Sequence, residues 1–131
     1  MSAHLSFKKN FQGTLHLTEG EIAIGVHPNE AKPYDLLQGA LVSCLHSTLL
    51  EILVKKRIEI EGVDYEVKGI KRDDVPTMLQ EVIVTATFPA HPDAEQILKS
   101  MALACKYCSV YNTLAKVADM KTEVVFKEHE F

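Results

Sequence analysis

The sequence predicts an α+β fold in which antiparallel sheets wrap around one long central helix. Three observations lead there. Strand-like and helix-like stretches come in blocks, in the order βββ, long α, ββ, αα, β, and do not alternate as βαβ units. One apolar stretch, Leu36 to Val54, is far longer than a strand. The 131 residues are 47% hydrophobic and 24% charged, enough to build one ordinary globular core without disulfides or a structural metal. No internal repeat, low-complexity tract or linker rich in Gly, Ser or Pro divides the chain, so residues 1–131 read as a single domain.

The elements follow in order. Met1 to Asn10 alternates like a strand, and Leu15 and Leu17, then Ile22, Ile24 and Val26, alternate on either side of Glu19-Gly20, a two-residue hairpin signal. His27 to Pro33 reads as a loop, and a helix is expected from about Tyr34 to Arg57, with Pro33 suited to its first turn. Almost every face of its middle is apolar, which places it deep in the core. Period-two alternation returns from Ile58 to Arg72, through Ile58, Ile60, Val63, Tyr65 and Val67, with Gly62 shifting the phase as a bulge would. Asp73 to Pro76 supplies a turn into a second long strand, with Met78, Val82, Val84, Ala86 and Phe88 on one face and Thr77, Glu81, Thr85 and Thr87 mostly on the other. Asp93 is placed to cap a helix whose apolar positions are Ile97, Leu98, Met101, Ala102 and Cys105. A short helix over Ser109 to Val117 and a strand over Glu123 to Lys127 complete the chain.

Charge and polarity exclude several function classes. Fourteen basic against 18 acidic side chains leave a net charge of -4, and no basic cluster exceeds Lys55, Lys56 and Arg57, so no nucleic-acid surface is expected. The stretch from Leu36 to Val54 carries Gln38, Ser43, His46, Ser47, Thr48 and Glu51, which a bilayer would penalise, so it is read as a core helix and no membrane is expected. Met1 to Asn10 lacks the apolar segment of a secretory signal, and the expected compartment is the cytoplasm. There the three cysteines are either inert core thiols or redox-active ones.

Cys44 lies in the middle of the long helix, on a stripe with Leu37, Ala40, Leu41, Thr48 and Glu51 at three- and four-residue spacings. A cysteine on an apolar helix is ordinarily a small hydrophobe. A reactive thiolate in mid-helix gains nothing from the positive end of the helix dipole and needs a nearby cation or hydrogen-bond donors. Cys105 and Cys108 form a C-x-x-C, but Cys105 follows about twelve helical residues, whereas thioredoxin-like sites open a helix after a strand. Zinc would need two more ligands, and only the scattered His4, His16, His27, His46, His91 and His129 are on offer, so no metal or other cofactor is expected. His46 points to a different side of the helix from Cys44 and reads as a solvated or hydrogen-bonded histidine. Residue types alone leave the inert and the reactive readings of Cys44 both open.

Two segments in combination carry a resemblance. Pro33-Tyr34-Asp35-Leu36-Leu37-Gln38-Gly39-Ala40-Leu41-Val42-Ser43-Cys44 resembles the helix with the first cysteine in the family of osmotically induced protein C and the organic hydroperoxide resistance proteins, the OsmC-like fold. Asp93 to Val110 is similar to the family's second cysteine segment, with Cys108 in its C-P-V slot and Ser109 where proline is common. The resemblance implies an intertwined homodimer with two interface sites, a small-molecule hydroperoxide as substrate and an external thiol as reductant. Mapped here, Cys44 attacks the peroxide and Cys108 resolves the sulfenic acid, while Tyr34, Asp35, Leu37 and Leu41 contact substrate. A thiol in an apolar pocket suits an alkyl hydroperoxide, and Cys108, at a break between helices, is expected to gain acidity from the second helix's N-terminus.

The chain departs from the hydroperoxide resistance branch at two points. That branch holds its first thiolate with an arginine from the N-terminal strands, whereas the arginines here are Arg57 and Arg72. It also has a glutamate ten residues before that cysteine, where this chain has Tyr34 beside Asp35. Lys8, Lys9 and His16 are the cationic candidates in the N-terminal strands, and lysine holds a thiolate less rigidly than a forked guanidinium. The alternative function is therefore a non-catalytic protein of the same fold, binding a small apolar or thiol metabolite in the same pocket. A third reading makes all three cysteines core filler.

Overall fold

Residues 1–128 are described by the structure, a computed structural model; His129 lies outside the described residues. The order of elements is the one expected: β1 (His4–Phe7), β2 (Gly13–His16), β3 (Glu21–Ile24), α1 (Pro33–Lys55), β4 (Asp64–Lys71), β5 (Leu79–Pro89), α2 (Ala94–Tyr107), α3 (Ser109–Leu114) and β6 (Asp119–Lys127). Contacts divide it into two compact units, Met1–Gly39 and a second beginning at Ala40.

In the first unit β1, β2 and β3 form an antiparallel meander, with Leu15 opposite Leu5 on one side and Ile22 on the other. The β2–β3 hairpin turns one residue earlier than Glu19-Gly20. Pairing continues past His16 and Glu21 to Leu17, whose N–H donates to the Gly20 carbonyl at 3.0 Å, leaving Thr18 and Glu19 as the loop. Gly20 follows at φ 101, a left-handed conformation that explains why glycine is needed after the loop rather than in it. At the start of α1 the backbone N–H of Lys32 donates to Asp35 Oδ2 at 2.9 Å, one half of a capping box, and Pro33 occupies the first turn.

The second unit holds the main core. Along α1 only the stripe Leu41, Leu45, Leu49 and Leu53 is buried, while Leu50 and Val54 remain 41% and 75% exposed. The expectation of a helix sunk in the core on all sides is thus corrected. Side chains repeating every four residues share one face, which is the buried one, while Cys44 and His46 are half-buried at other positions. The helix closes as a Schellman motif: the N–H of Ile58 reaches the Leu53 carbonyl at 2.9 Å, that of Arg57 reaches Val54 at 3.1 Å, and Arg57 adopts φ 58. Ile58 is buried as part of this cap. The strand expected to start at Ile58 starts at Asp64 instead, so the alternation through Ile58 and Ile60 belongs to a helix end and a loop.

The second sheet has the order β4-β5-β6. Val82, Val84, Ala86 and Phe88 on β5 are fully buried, as the alternation predicts, whereas Met78 and Thr77 lie before the strand. The register shift falls between Ile70 and Lys71, not at Gly62, and explains why Leu79 and Val82, three residues apart, both face the core. β4 and β5 are antiparallel, but β6 runs parallel to β5 and spans Asp119–Lys127, four residues longer at its start than expected. The antiparallel expectation fails here because α2 and α3 act as a crossover between the two strands, which is the connection a parallel pair requires. On α2 the buried stripe is Ile97, Ser100, Met101 and Ala104, with Leu98 45% exposed. Asp93 stands at the N-cap without a side-chain cap bond.

Candidate active site

The expected nucleophile sits at the edge of the buried leucine stripe. Cys44 directly precedes Leu45 on α1, so its side chain is half-buried at the margin of the core. Cys108 is fully buried at the break between α2 and α3, where the chain leaves the helical conformation at φ -67, ψ 121 before re-entering it. The break makes Cys108 the N-cap of α3, and its Sγ accepts the Tyr111 N–H at 3.4 Å. Asn112 locks the break: its Nδ2 donates to the carbonyls of Cys105, Lys106 and Cys108 at 3.0, 3.1 and 2.7 Å. The first two are end-of-helix carbonyls of α2, and that of Cys108 also accepts the backbone N–H of Asn112 at 3.0 Å as the first bond of α3.

Tertiary packing brings this break against α1. The thiols of Cys44 and Cys108 lie near enough to shift each other's acidity in opposite directions, and Cys44 Sγ lies 3.7 Å from Ser109 Oγ. The first N–H groups of a helix have no intrahelical acceptor, and in α3 these donors are shared between the two sulfurs. Hydrogen bonding from the Val110 backbone N–H lowers the pKa of Cys44 most, followed by the thiol of Cys108 and the side chain of Ser109. Cys108 moves the other way, because burial raises its pKa and the Tyr111 N–H offsets only part of that. The expectation that α3 would acidify Cys108 is therefore corrected: the acidified thiol is Cys44, through the same helix end. The arrangement can hold one sulfur as thiolate while the neighbouring one stays protonated and donates to it.

The other expected residues are placed as follows. Tyr34 is half-buried, and Asp35 is exposed with its carboxylate engaged by Lys32 at the start of α1. Leu37 is half-buried and Leu41 is fully buried in the leucine stripe. His46 is hydrogen-bonded, its Nδ1 2.9 Å from the Tyr65 hydroxyl. Burial lowers its pKa, which favours the neutral ring. Cys105 is half-buried with its Sγ 3.4 Å from Thr122 Oγ1 on β6, so the C-x-x-C cysteines have different partners. No group of His, Cys, Asp or Glu suited to a metal ion occurs among the described residues. Sequence reasoning missed Val110 and Asn112. A backbone donor has no sequence signature, and only the position of Asn112 just past the C-x-x-C hints at its capping role.

Comparison with known proteins bears on this geometry. The model of one protein family, described as OsmC-like protein, matches residues 26–123. No curated protein matches the chain. Among solved structures, a hypothetical protein from Aquifex aeolicus VF5 is 23% identical, with a TM-score of 0.82 over 98% of this chain and 97% of that one. An OsmC-like protein from Mycoplasma pneumoniae is 17% identical, with a TM-score of 0.84 over 98% and 96%. The organic hydroperoxide resistance protein OhrB of Bacillus subtilis is 18% identical, with a TM-score of 0.69 over 95% and 98%. At these identities the likeness is one of fold.

Proposed function

The chain belongs to the OsmC-like family, and from that premise we propose that it reduces organic hydroperoxides with two thiols, Cys44 as nucleophile and Cys108 as resolving residue. The observation that carries this reading is that the two thiols shift each other's acidity in opposite directions, with Cys44 Sγ beside Ser109, the residue next to Cys108. Thiolate is the attacking form, and hydrogen-bond donors favour it at Cys44.

The Cys44 thiolate attacks the distal peroxide oxygen, the O–O bond breaks, and the departing alkoxide takes a proton to leave as alcohol, so Cys44 becomes a sulfenic acid. The Cys108 sulfur, once deprotonated, displaces hydroxide from that sulfenic sulfur; the hydroxide leaves as water and a Cys44–Cys108 disulfide remains. An external dithiol, or two monothiols, then returns both residues to thiols and is itself oxidised to a disulfide. A protonated resolver avoids competing with Cys44 for the first attack.

Substrate contact by Tyr34, Asp35, Leu37 and Leu41 belongs to the same proposal and rests on the resemblance of their helix segment. So does an intertwined homodimer. It is supported by the uncovered face of α1, where Ser47, Leu50, Glu51, Val54 and Lys55 line a groove of about 460 Å³. All three cysteines are free thiols, which suits a reducing cytoplasm.

The test is intact-mass analysis of the reduced protein after a stoichiometric dose of an alkyl hydroperoxide or hydrogen peroxide. Loss of two hydrogens, mapped to a Cys44–Cys108 link and faster with the alkyl peroxide, is expected, and Cys108→Ser should trap a sulfenic acid on Cys44. No oxidation within minutes, or oxidation confined to Cys105, would sink the reading and leave a binding protein.

A further inference from the structure

Cys44 draws its support from the first turn of α3, and one contributor there is a side chain rather than backbone. Ser109 Oγ lies 3.7 Å from Cys44 Sγ. The Ser109 carbonyl is committed elsewhere, accepting the Thr113 hydroxyl at 2.8 Å in the first turn of α3. We propose that Ser109 is a positioning residue for the reactive sulfur, its hydroxyl donating to the Cys44 thiolate and fixing that sulfur beside Cys108. This deepens the reductase reading and rests on it for its catalytic meaning.

The physical case rests on what position 109 can donate. A thiolate in mid-helix has no dipole of its own helix to stabilise it, so each donor aimed at it counts. Serine supplies two, an O–H and an N–H, and both act on Cys44. Proline is sterically at ease in the first residue of a helix but has neither group. Serine at this position therefore adds donors without a conformational need for them. An O–H to thiolate bond is charge-assisted and stronger than its neutral counterpart, so it is made in the state that reacts.

The pH dependence of Cys44 alkylation by iodoacetamide, followed by peptide mass spectrometry on the full chain without any peroxide, tests this. Ser109→Ala is expected to raise the midpoint by about one pH unit, a roughly tenfold slower reaction at neutral pH where rate follows thiolate fraction. Ser109→Pro, which also removes the N–H, should shift it further, and Ser109→Thr should restore the original profile. An unchanged midpoint in both the alanine and proline variants overturns the assignment, as does an equal shift in all three. The outcome is separate from the reductase reading: a Ser109-dependent profile without peroxide consumption sinks that reading alone, and consumption with a Ser109-independent profile sinks only this one.

Discussion

Cys44 and Cys108 act on each other's acidity in opposite directions, the Cys44 pKa lying below the ordinary thiol value and that of Cys108 above it. One helix end serves both. Cys108 takes the Tyr111 N–H as the N-cap of α3, and Cys44, arriving from α1, takes that of Val110. Burial of Cys108 decides which sulfur keeps its proton.

The order of labelling follows. At pH 7 iodoacetamide should modify Cys44 first, with a midpoint below the ordinary value of 9.0, while Cys108 stays unmodified until the protein is denatured. Peptide mapping of partially labelled protein reads this directly, and prior modification of Cys108 would reverse the assigned roles.

Asn112 ties three carbonyls at the α2–α3 break. Asn112→Ala should lower stability by about 1 kcal/mol, since solvent can reach part of what is exposed there. It should also slow Cys44–Cys108 disulfide formation, because Cys108 loses its fixed position. Urea denaturation and the rate of peroxide-driven disulfide formation measure the two effects, and an unchanged rate would separate the cap from the chemistry.

Leu45 is fully buried one residue from Cys44, whereas Val54 on the same helix is 75% exposed. Leu45→Ala should cost about 2–5 kcal/mol in denaturant unfolding through lost burial and the cavity it leaves. Val54→Ala should cost under about 0.5 kcal/mol in the isolated chain. Similar losses at both positions would mean that the outer face is covered in solution.

Arg57 holds a left-handed conformation at φ 58 in the closing motif of α1. Glycine adopts it without the steric penalty of a Cβ, so Arg57→Gly should raise stability by up to about 1 kcal/mol. Thermal and urea unfolding check this, and destabilisation would show that the arginine side chain makes a larger contribution than its backbone strain costs.

His46 gives the acid limb of stability. Its folded pKa lies below the ordinary 6.5, so below that value the unfolded chain binds the proton that folded His46 resists. Stability should therefore fall as pH drops from 6.5 toward the folded value, visible as a falling Tm. His46→Gln should flatten that slope, and an identical slope in the variant would assign the titration to another group.

Much of the fold was legible because it follows from local periodicity. Alternation at Val82, Val84, Ala86 and Phe88 identified the buried face of β5, since a pleated strand sends successive side chains to opposite sides. Pro33 identified the start of α1 for an equally local reason. Where two local patterns overlap, periodicity does not separate them. Ile58 and Ile60 alternate like a strand, yet Ile58 is buried as the apolar partner of a helix cap. On α2 both Ile97 and Leu98 lie at helical spacing, and only packing chose Ile97.

By itself the sequence determined the order of elements, the two cysteine segments and the α+β class, because each is written in residues near one another along the chain. Tertiary structure alone decided the parallel pairing of β6 with β5, the single buried stripe of α1 and the acidity of Cys44. The last depends on donors 65 and 66 residues away, at Ser109 and Val110. A thiol's pKa is set by the groups that surround it in space, and no spacing along the chain records that the first turn of α3 meets the middle of α1.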